Sequence, residues 1–270
     1  MTPESLGNLN GDGVTDIYVR QGSIGGLASY KQYWFRSGKT GSALWSKSFT
    51  DPTHLSHMGS DMDGDGTTEI IASPLLWYYG SPPASTTVKM FRGSNGALKW
   101  SQTLTGAYWL YPVGDMNDHG RHDVLVCSVP TASSGGKVSF KAVAKNGVNG
   151  ANLWQKTGLS IPVPPGITWA EIGWNNAYSY GDDMGDLNGD GKDDVAFGTI
   201  FYYYKFPMDR GNRAKYFFLS GNGGGTLSTF YIDIHGTRLG LDPYAFYLGP
   251  VSGRRAILIH TDLVQNMFLL

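Results

Sequence analysis

The apolar positions of this chain fall in short runs, and four of them repeat. Ile17-Tyr18-Val19, Ile70-Ile71-Ala72, Val124-Leu125-Val126 and Val195-Ala196-Phe197 each follow directly on a polar, glycine-bearing nonapeptide. Runs this short, rich in β-branched and aromatic residues and bounded by Gly and Asn, predict strands. No window sustains a 3.6-residue apolar period, and Gly or Pro interrupts every long stretch, so helices are not expected. A second set of markers keeps the same phase. Turns at Ser37–Gly41, Arg92–Gly96 and Lys145–Gly150 lead into strands that carry Trp45, Trp100 and Trp154, and a turn at Ser220–Gly225 leads to Phe230. Gly and Asn tolerate positive φ, so these read as hairpin turns. Apolar residues recurring in phase read as core, and the three tryptophans are expected to pack between repeats.

One period therefore holds four short strands. In the second repeat they are expected near His54–Ser60, Thr68–Ser73, Thr86–Arg92 and Ala97–Leu104. The nonapeptides start at 8, 61, 115 and 186, giving intervals of 53, 54 and 71 residues. A weaker fifth copy, Leu248–Gly253 followed by Ala256–Ile259, keeps the strand without the carboxylates. Four strands per period of this length predict an all-β fold, a β-propeller of four-stranded antiparallel blades. About five blades are expected, over 1–50, 51–105, 106–160, 168–232 and 240–270 of a single domain, as a closed ring or as part of a larger one. A long insert at 161–183 accounts for the 71-residue interval.

Within each nonapeptide, positions 1, 3, 5 and 9 carry oxygen ligands, apart from His119 in the third. They are Asn8, Asn10, Asp12 and Asp16 in the first loop, and Asp61, Asp63, Asp65 and Glu69 in the second. The third has Asp115, Asn117 and Asp123, with His119 at position 5 and Asp118 in a glycine's place; the fourth has Asp186, Asn188, Asp190 and Asp194. Hard oxygen donors at alternating positions, with glycine letting the chain fold back, suit Ca²⁺. An EF-hand begins in the same way but needs a bidentate Glu at position 12 and a helix after it. Position 12 here is Val19, Ala72, Val126 or Phe197, which excludes that reading. Ligand charge tunes calcium affinity, so the expected order is second, fourth, first, third, with the third the first to stand empty. The apolar residue at position 2 (Leu9, Met62, Met116 or Leu187) is expected to point into the core.

The pattern Gly-Asp-x-Asn-Gly-Asp-Gly-x-x-Asp before an apolar strand resembles the FG-GAP repeat of integrin α-subunit propellers and related microbial surface proteins. The resemblance is specific in the loops and weak elsewhere; the usual Phe-Gly before the loop is missing at Leu55-Ser56-His57-Met58. It implies an ion in the hairpin joining the first two strands of a blade, and an extracellular or cell-surface location. Segments such as Gly41-Ser42-Ala43-Leu44-Trp45 also resemble quinoprotein-type blades.

Composition adds exclusions. A net charge of −1 over 270 residues favours neither nucleic acid nor an anionic membrane surface, and no apolar run is long enough to span a bilayer. The lone Cys127 has no disulfide partner and follows a core strand. No His-Glu-x-x-His or Gly-x-Ser-x-Gly stands in the chain, and the one acid–base pairing worth weighing is Glu171 with Asp182 or Asp183. On the face opposite the metal loops, long connections bring Trp77, Trp169, Trp174, Tyr178 and Tyr203, rings that could stack on a sugar or grip a peptide. The expected function is a calcium-binding, non-catalytic binding or adhesion module for a glycan or protein ligand. The alternative is a propeller enzyme, lyase-like toward polysaccharide or quinoprotein-like.

Overall fold

The computed structural model describes residues 3–20, 31–56, 60–75, 81–173, 176–205, 209–235, 244–251, 254–261 and 264–269. The first sheet holds β1 (Pro3–Gly7), β2 (Asp16–Arg20), β3 (Gln32–Arg36) and β4 (Ala43–Ser48). The second holds β5 (Thr53–Ser56), β6 (Ile70–Pro74), β7 (Ser85–Phe91) and β8 (Leu98–Thr105). The third is built from β9 (Tyr108–Val113), β10 (Asp123–Ser128), β12 (Lys137–Lys145) and β13 (Asn152–Pro162), with the two-residue β11 (Ser133–Ser134) on the start of β12. A single turn of helix, α1 (Trp169–Ile172), precedes the fourth sheet of β14 (Ala177–Asp183), β15 (Val195–Lys205), β16 (Asp209–Leu219) and β17 (Thr226–His235). Among the described residues the fifth has three strands, β18 (Tyr244–Val251), β19 (Arg254–Thr261) and β20 (Val264–Leu269).

Every pairing is antiparallel and joins consecutive strands apart from the short β11, so each sheet is a meander. The first strands of successive sheets touch one another, β5 with β9, β9 with β14 and β14 with β18. The sheets are thus stacked face to face with their first strands gathered inward, as blades. The fold is all-β and propeller-like, as the repeat predicts.

Alternation along the strands explains the continuous apolar runs. In β10, Val124 and Val126 enter the core shared with the second blade, while Leu125 and Cys127 enter the core shared with the fourth. In β6, Ile70 and Ala72 face the first blade and Ile71 faces the third. A sheet covered on both faces has no polar side to alternate with. The position-2 residues Leu9, Met62, Met116 and Leu187 are buried. The long interval has two causes. The β12–β13 hairpin runs out to Pro162, and α1 occupies part of the way to β14.

Candidate metal loops

Position 9 is where the chain closes each loop. Its carboxylate, in Asp16, Glu69, Asp123 and Asp194, is almost fully buried. One oxygen accepts the backbone N–H of position 2, from Leu9 at 2.8 Å, Met62 at 2.7 Å, Met116 at 2.9 Å and Leu187 at 2.8 Å. In three blades the other oxygen accepts a glycine N–H of the turn between the third and fourth strands. Gly38 donates to Asp16 at 2.9 Å, Gly147 to Asp123 at 3.0 Å and Gly221 to Asp194 at 2.9 Å. The nonapeptide loop and the glycine turn thus share one end of the blade. In the second blade Glu69 is one methylene longer, and its Oε1 is buried with no hydrogen-bond partner. Burial pushes the Glu69 carboxyl up to about 7, against the lowering effect of the Met62 N–H. It pushes Asp123 up to about 6, against the Gly147 and Met116 N–H groups.

The same glycine is the junction between blades. A Cβ on Gly38, Gly93, Gly147 or Gly221 would lie 1.9–2.1 Å from the carbonyl oxygen of loop position 8, so only glycine fits. The glycine's own carbonyl accepts the indole N–H of the preceding blade. Trp45 donates to Gly93 at 2.6 Å, Trp100 to Gly147 at 2.9 Å and Trp154 to Gly221 at 2.8 Å. Each indole also lies on a second glycine of that turn, Gly96, Gly150 or Gly224, whose φ is near +70° and whose added Cβ would strike the ring. The in-phase tryptophans are therefore inter-blade contacts with a hydrogen-bonded end.

The remaining loop positions fold the nonapeptide. Asp61 Oδ1 accepts Gly64 N–H at 2.6 Å and Asp65 N–H at 3.1 Å, and its Oδ2 accepts Gly66 N–H at 2.9 Å. Asp186 repeats this on Gly189, Asp190 and Gly191. In the first loop Asn8 and Asn10 each accept Asp12 N–H at 3.1 Å, and Asp12 accepts Val14 N–H at 2.9 Å. Asp63 and Asn188 at position 3 accept the N–H of Asp65 and Asp190. Asp61 accepts three N–H groups in all, and a carboxylate offers about four acceptor sites, so one remains. Asp61, Asp63 and Asp65 bring a carboxylate oxygen each within 4.8 Å of one another, and so, with a histidine nitrogen, do Asp115, His119 and Asp123.

The second, fourth and third loops differ in what surrounds their carboxylates. In the second, Lys99 of β8 contacts the Asp63 carboxylate, and Arg92 Nε stands 3.3 Å from Asp65 Oδ2. Four carboxylates there face two cations. Burial lowers the Lys99 pKa, and Asp61 opposes it. In the fourth, the neighbour of Asn188 and Asp190 is the Ser220 hydroxyl, at 3.1 Å and 3.4 Å. In the third, Asp118 takes φ +60°, the left-handed turn made by Gly11, Gly64 and Gly189 elsewhere. Asp is among the few residues that tolerate it. The His119 ring lies between Asp115 and Asp123, with Nδ1 3.0 Å from Asp115 Oδ1 and Nε2 3.6 Å from Asp123 Oδ1. At Asp115 burial raises the pKa, but N–H groups of His119, Gly120 and Asn117 outweigh it and hold the carboxyl below its ordinary value.

The aromatic candidates separate. Tyr203 lies in the core between the third and fourth blades, 1% exposed, and is not a surface ring. The Tyr202-Tyr203-Tyr204 run belongs to β15 and alternates, with Tyr204 53% exposed. Trp169 on α1 is half-buried against the same core. Tyr178 is half-buried, its hydroxyl 3.1 Å from that of Tyr202. Trp77 and Trp174 lie outside the described residues. Glu171 Oε2 accepts the Thr168 hydroxyl at 2.8 Å, and the Thr168 backbone N–H also holds its pKa down. Burial, and then Asp183, push the Asp182 carboxyl up to about 6; its Oδ2 is buried without a hydrogen-bond partner.

No family model and no curated protein matches the chain. Among solved structures it is similar to the rhamnogalacturonan lyase YesW, with a TM-score of 0.47 and 14% sequence identity over 97% of its length. The chain spans 55% of that lyase. Among the described residues no helix is long and apolar enough to cross a membrane.

Proposed function

We propose that this chain is a calcium-stabilised blade protein of the FG-GAP kind, a non-catalytic binding or adhesion module for a glycan or protein ligand. The observation that carries this reading is the Glu69 Oε1. It is a buried oxygen without a donor, on a loop whose other three ligand positions are carboxylates within 4.8 Å of one another. A buried carboxylate oxygen left unpaired is costly, and a hard cation would satisfy it. Asn8, Asn10, Asp12 and Asp16 in the first loop and Asp186, Asn188, Asp190 and Asp194 in the fourth offer amide and carboxylate oxygens and no imidazole, which suits the same ion. Because an ion must displace Lys99 and Arg92 from the second loop, the fourth binds calcium most tightly. An ion in a loop fixes the backbone that presses on the glycine junction, so calcium stiffens contacts between blades. The ligand face is the one opposite the loops, with Trp169 and Tyr178 as its described aromatic members, and the location is extracellular or cell-surface.

Scanning calorimetry with calcium and then with chelator tests the metal role. Chelation lowers the melting temperature of the wild type, and Asp186→Asn with Asp190→Asn removes part of that difference. An unchanged melting temperature refutes it. A glycan array tests the ligand role, with binding lost in Trp169→Ala.

One observation favours the enzymatic alternative, a polysaccharide-cleaving activity. Asp182 is a buried acid whose pKa stands near 6 on the inner strand of a blade, and such perturbed groups cluster at catalytic sites. Turnover of a uronide polymer abolished by Asp182→Asn would support that reading over the binding module.

A further inference from the structure

We propose that the third loop is a site for a borderline transition ion of the Zn²⁺ class, distinct in chemistry from the calcium loops. Its ligands are His119 Nε2, Asp123 Oδ1 and the Asn117 side-chain oxygen, and Asp115 is the positioning residue for the imidazole. His119 Nδ1 stands 3.0 Å from Asp115 Oδ1, which makes Nδ1 the N–H donor and leaves the Nε2 lone pair directed away from Asp115. That Nε2 is buried without a hydrogen-bond partner, 3.6 Å from Asp123 Oδ1. A lone pair and a buried carboxylate facing each other repel unless a proton on the imidazole or a metal cation stands between them. With bonds of about 2.1 Å to each, a separation of 3.6 Å places them about 120° apart at the ion, close to tetrahedral. Asn117 Oδ1 is a second buried acceptor in this loop that has no partner. Asp115, His119 and the metal then form a carboxylate–histidine–metal series, in which the outer carboxylate fixes the tautomer.

The choice of metal follows from the donors. Imidazole suits zinc and its neighbours, whereas calcium takes oxygen. His119 replaces the acid found at this position in the other three loops, so the change removes a calcium ligand and supplies a zinc one. The imidazole is 24% exposed, which leaves the ion a route from solvent. The proposal stands whether or not the other loops bind calcium, because no residue of theirs takes part.

The test is titration of chelator-stripped protein with Co²⁺, read by the d–d absorption of a tetrahedral site, followed by displacement with Zn²⁺. One equivalent is expected to bind with that spectrum, to be displaced by Zn²⁺, and to resist millimolar calcium. Outer carboxylates contribute about 10–100-fold in affinity, so Asp115→Asn should weaken binding by about that factor and His119→Gln by at least as much. The double variant Asp118→Gly with His119→Asp restores the acidic pattern. It should lose the Co²⁺ spectrum and gain calcium-dependent stabilisation, which covers the case in which His119→Gln does not fold. Three results overturn the proposal: no d–d absorption in the wild type, equal affinity in wild type and His119→Gln, or displacement by calcium. An imidazole acting only as an internal cation gives the first of these, together with a metal-independent loss of stability in His119→Gln.

Discussion

Replacing Gly147 by alanine tests the junction at which a loop, a turn and the preceding blade meet. The new Cβ would sit 2.1 Å from the His122 carbonyl oxygen, a distance that real Cβ contacts do not show, so the turn must move off the loop. Two hydrogen bonds depend on its place: Gly147 N–H to Asp123 at 3.0 Å, and Trp100 Nε1–H to the Gly147 carbonyl at 2.9 Å. The first is charge-assisted and contributes about 1.5–3 kcal/mol, while the second, a neutral bond, contributes about 0.5–1.5 kcal/mol. The Asp123 carboxylate is fully buried and would keep only the Met116 N–H. The expected loss is about 2–4.5 kcal/mol, or a fall in melting temperature on the order of 5–15 °C. Gly120→Ala is the control. Gly120 has φ +76° with nothing within 4 Å of an added Cβ, so only the left-handed conformation opposes the substitution, at roughly 1–2 kcal/mol. Urea unfolding of both variants in chelator, at unchanged m-value, gives the comparison. A Gly147→Ala variant no less stable than Gly120→Ala refutes the junction.

Other perturbations probe separate parts of the molecule. Trp100→Phe keeps most of the ring and removes the indole N–H, and should cost about 1 kcal/mol or more in the same unfolding assay. Lys99→Met removes a cation that contacts Asp63, and calorimetric titration should show the second loop binding calcium about tenfold more tightly, by weaker charge competition. Asp182 has a folded pKa of about 6, above its ordinary 3.8. The folded state therefore keeps a proton that the unfolded chain releases, and stability falls as pH rises from about 4 to about 6. Asp182→Asn should be near neutral at pH 4 and stabilising by on the order of 2–3 kcal/mol above pH 7, measured as denaturant midpoints across that range.

Much of the blade was legible in the sequence because its signals are local. A nonapeptide that alternates acids with glycines and then turns apolar specifies a loop feeding a strand, and its spacing counts the blades. The partners across blades were not legible in this way. Trp100 and Gly147 are 47 residues apart, and nothing near either names the other. The signal was nevertheless present: the glycines at 38, 93, 147 and 221 hold the same place in four turns, and a shared requirement for no Cβ was there to be inferred. Nothing in the sequence marks Lys99, since its approach to Asp63 depends on how far β8 lies from the loop. Tyr203 was misplaced because β15 runs on to Lys205, past the point where the aromatic run reads as a connection. The single-turn α1 gave no warning, being too short for any periodic pattern.

The central claim is that oxygens of the second and fourth loops close around calcium. A crystal grown in millimolar calcium is its most direct test, with the ions located by anomalous scattering. The predicted result is an ion in each of these two loops, six to eight oxygens at about 2.3–2.6 Å, and Glu69 Oε1 among them. Water alone in both loops, with the Lys99 and Arg92 contacts intact, would contradict it.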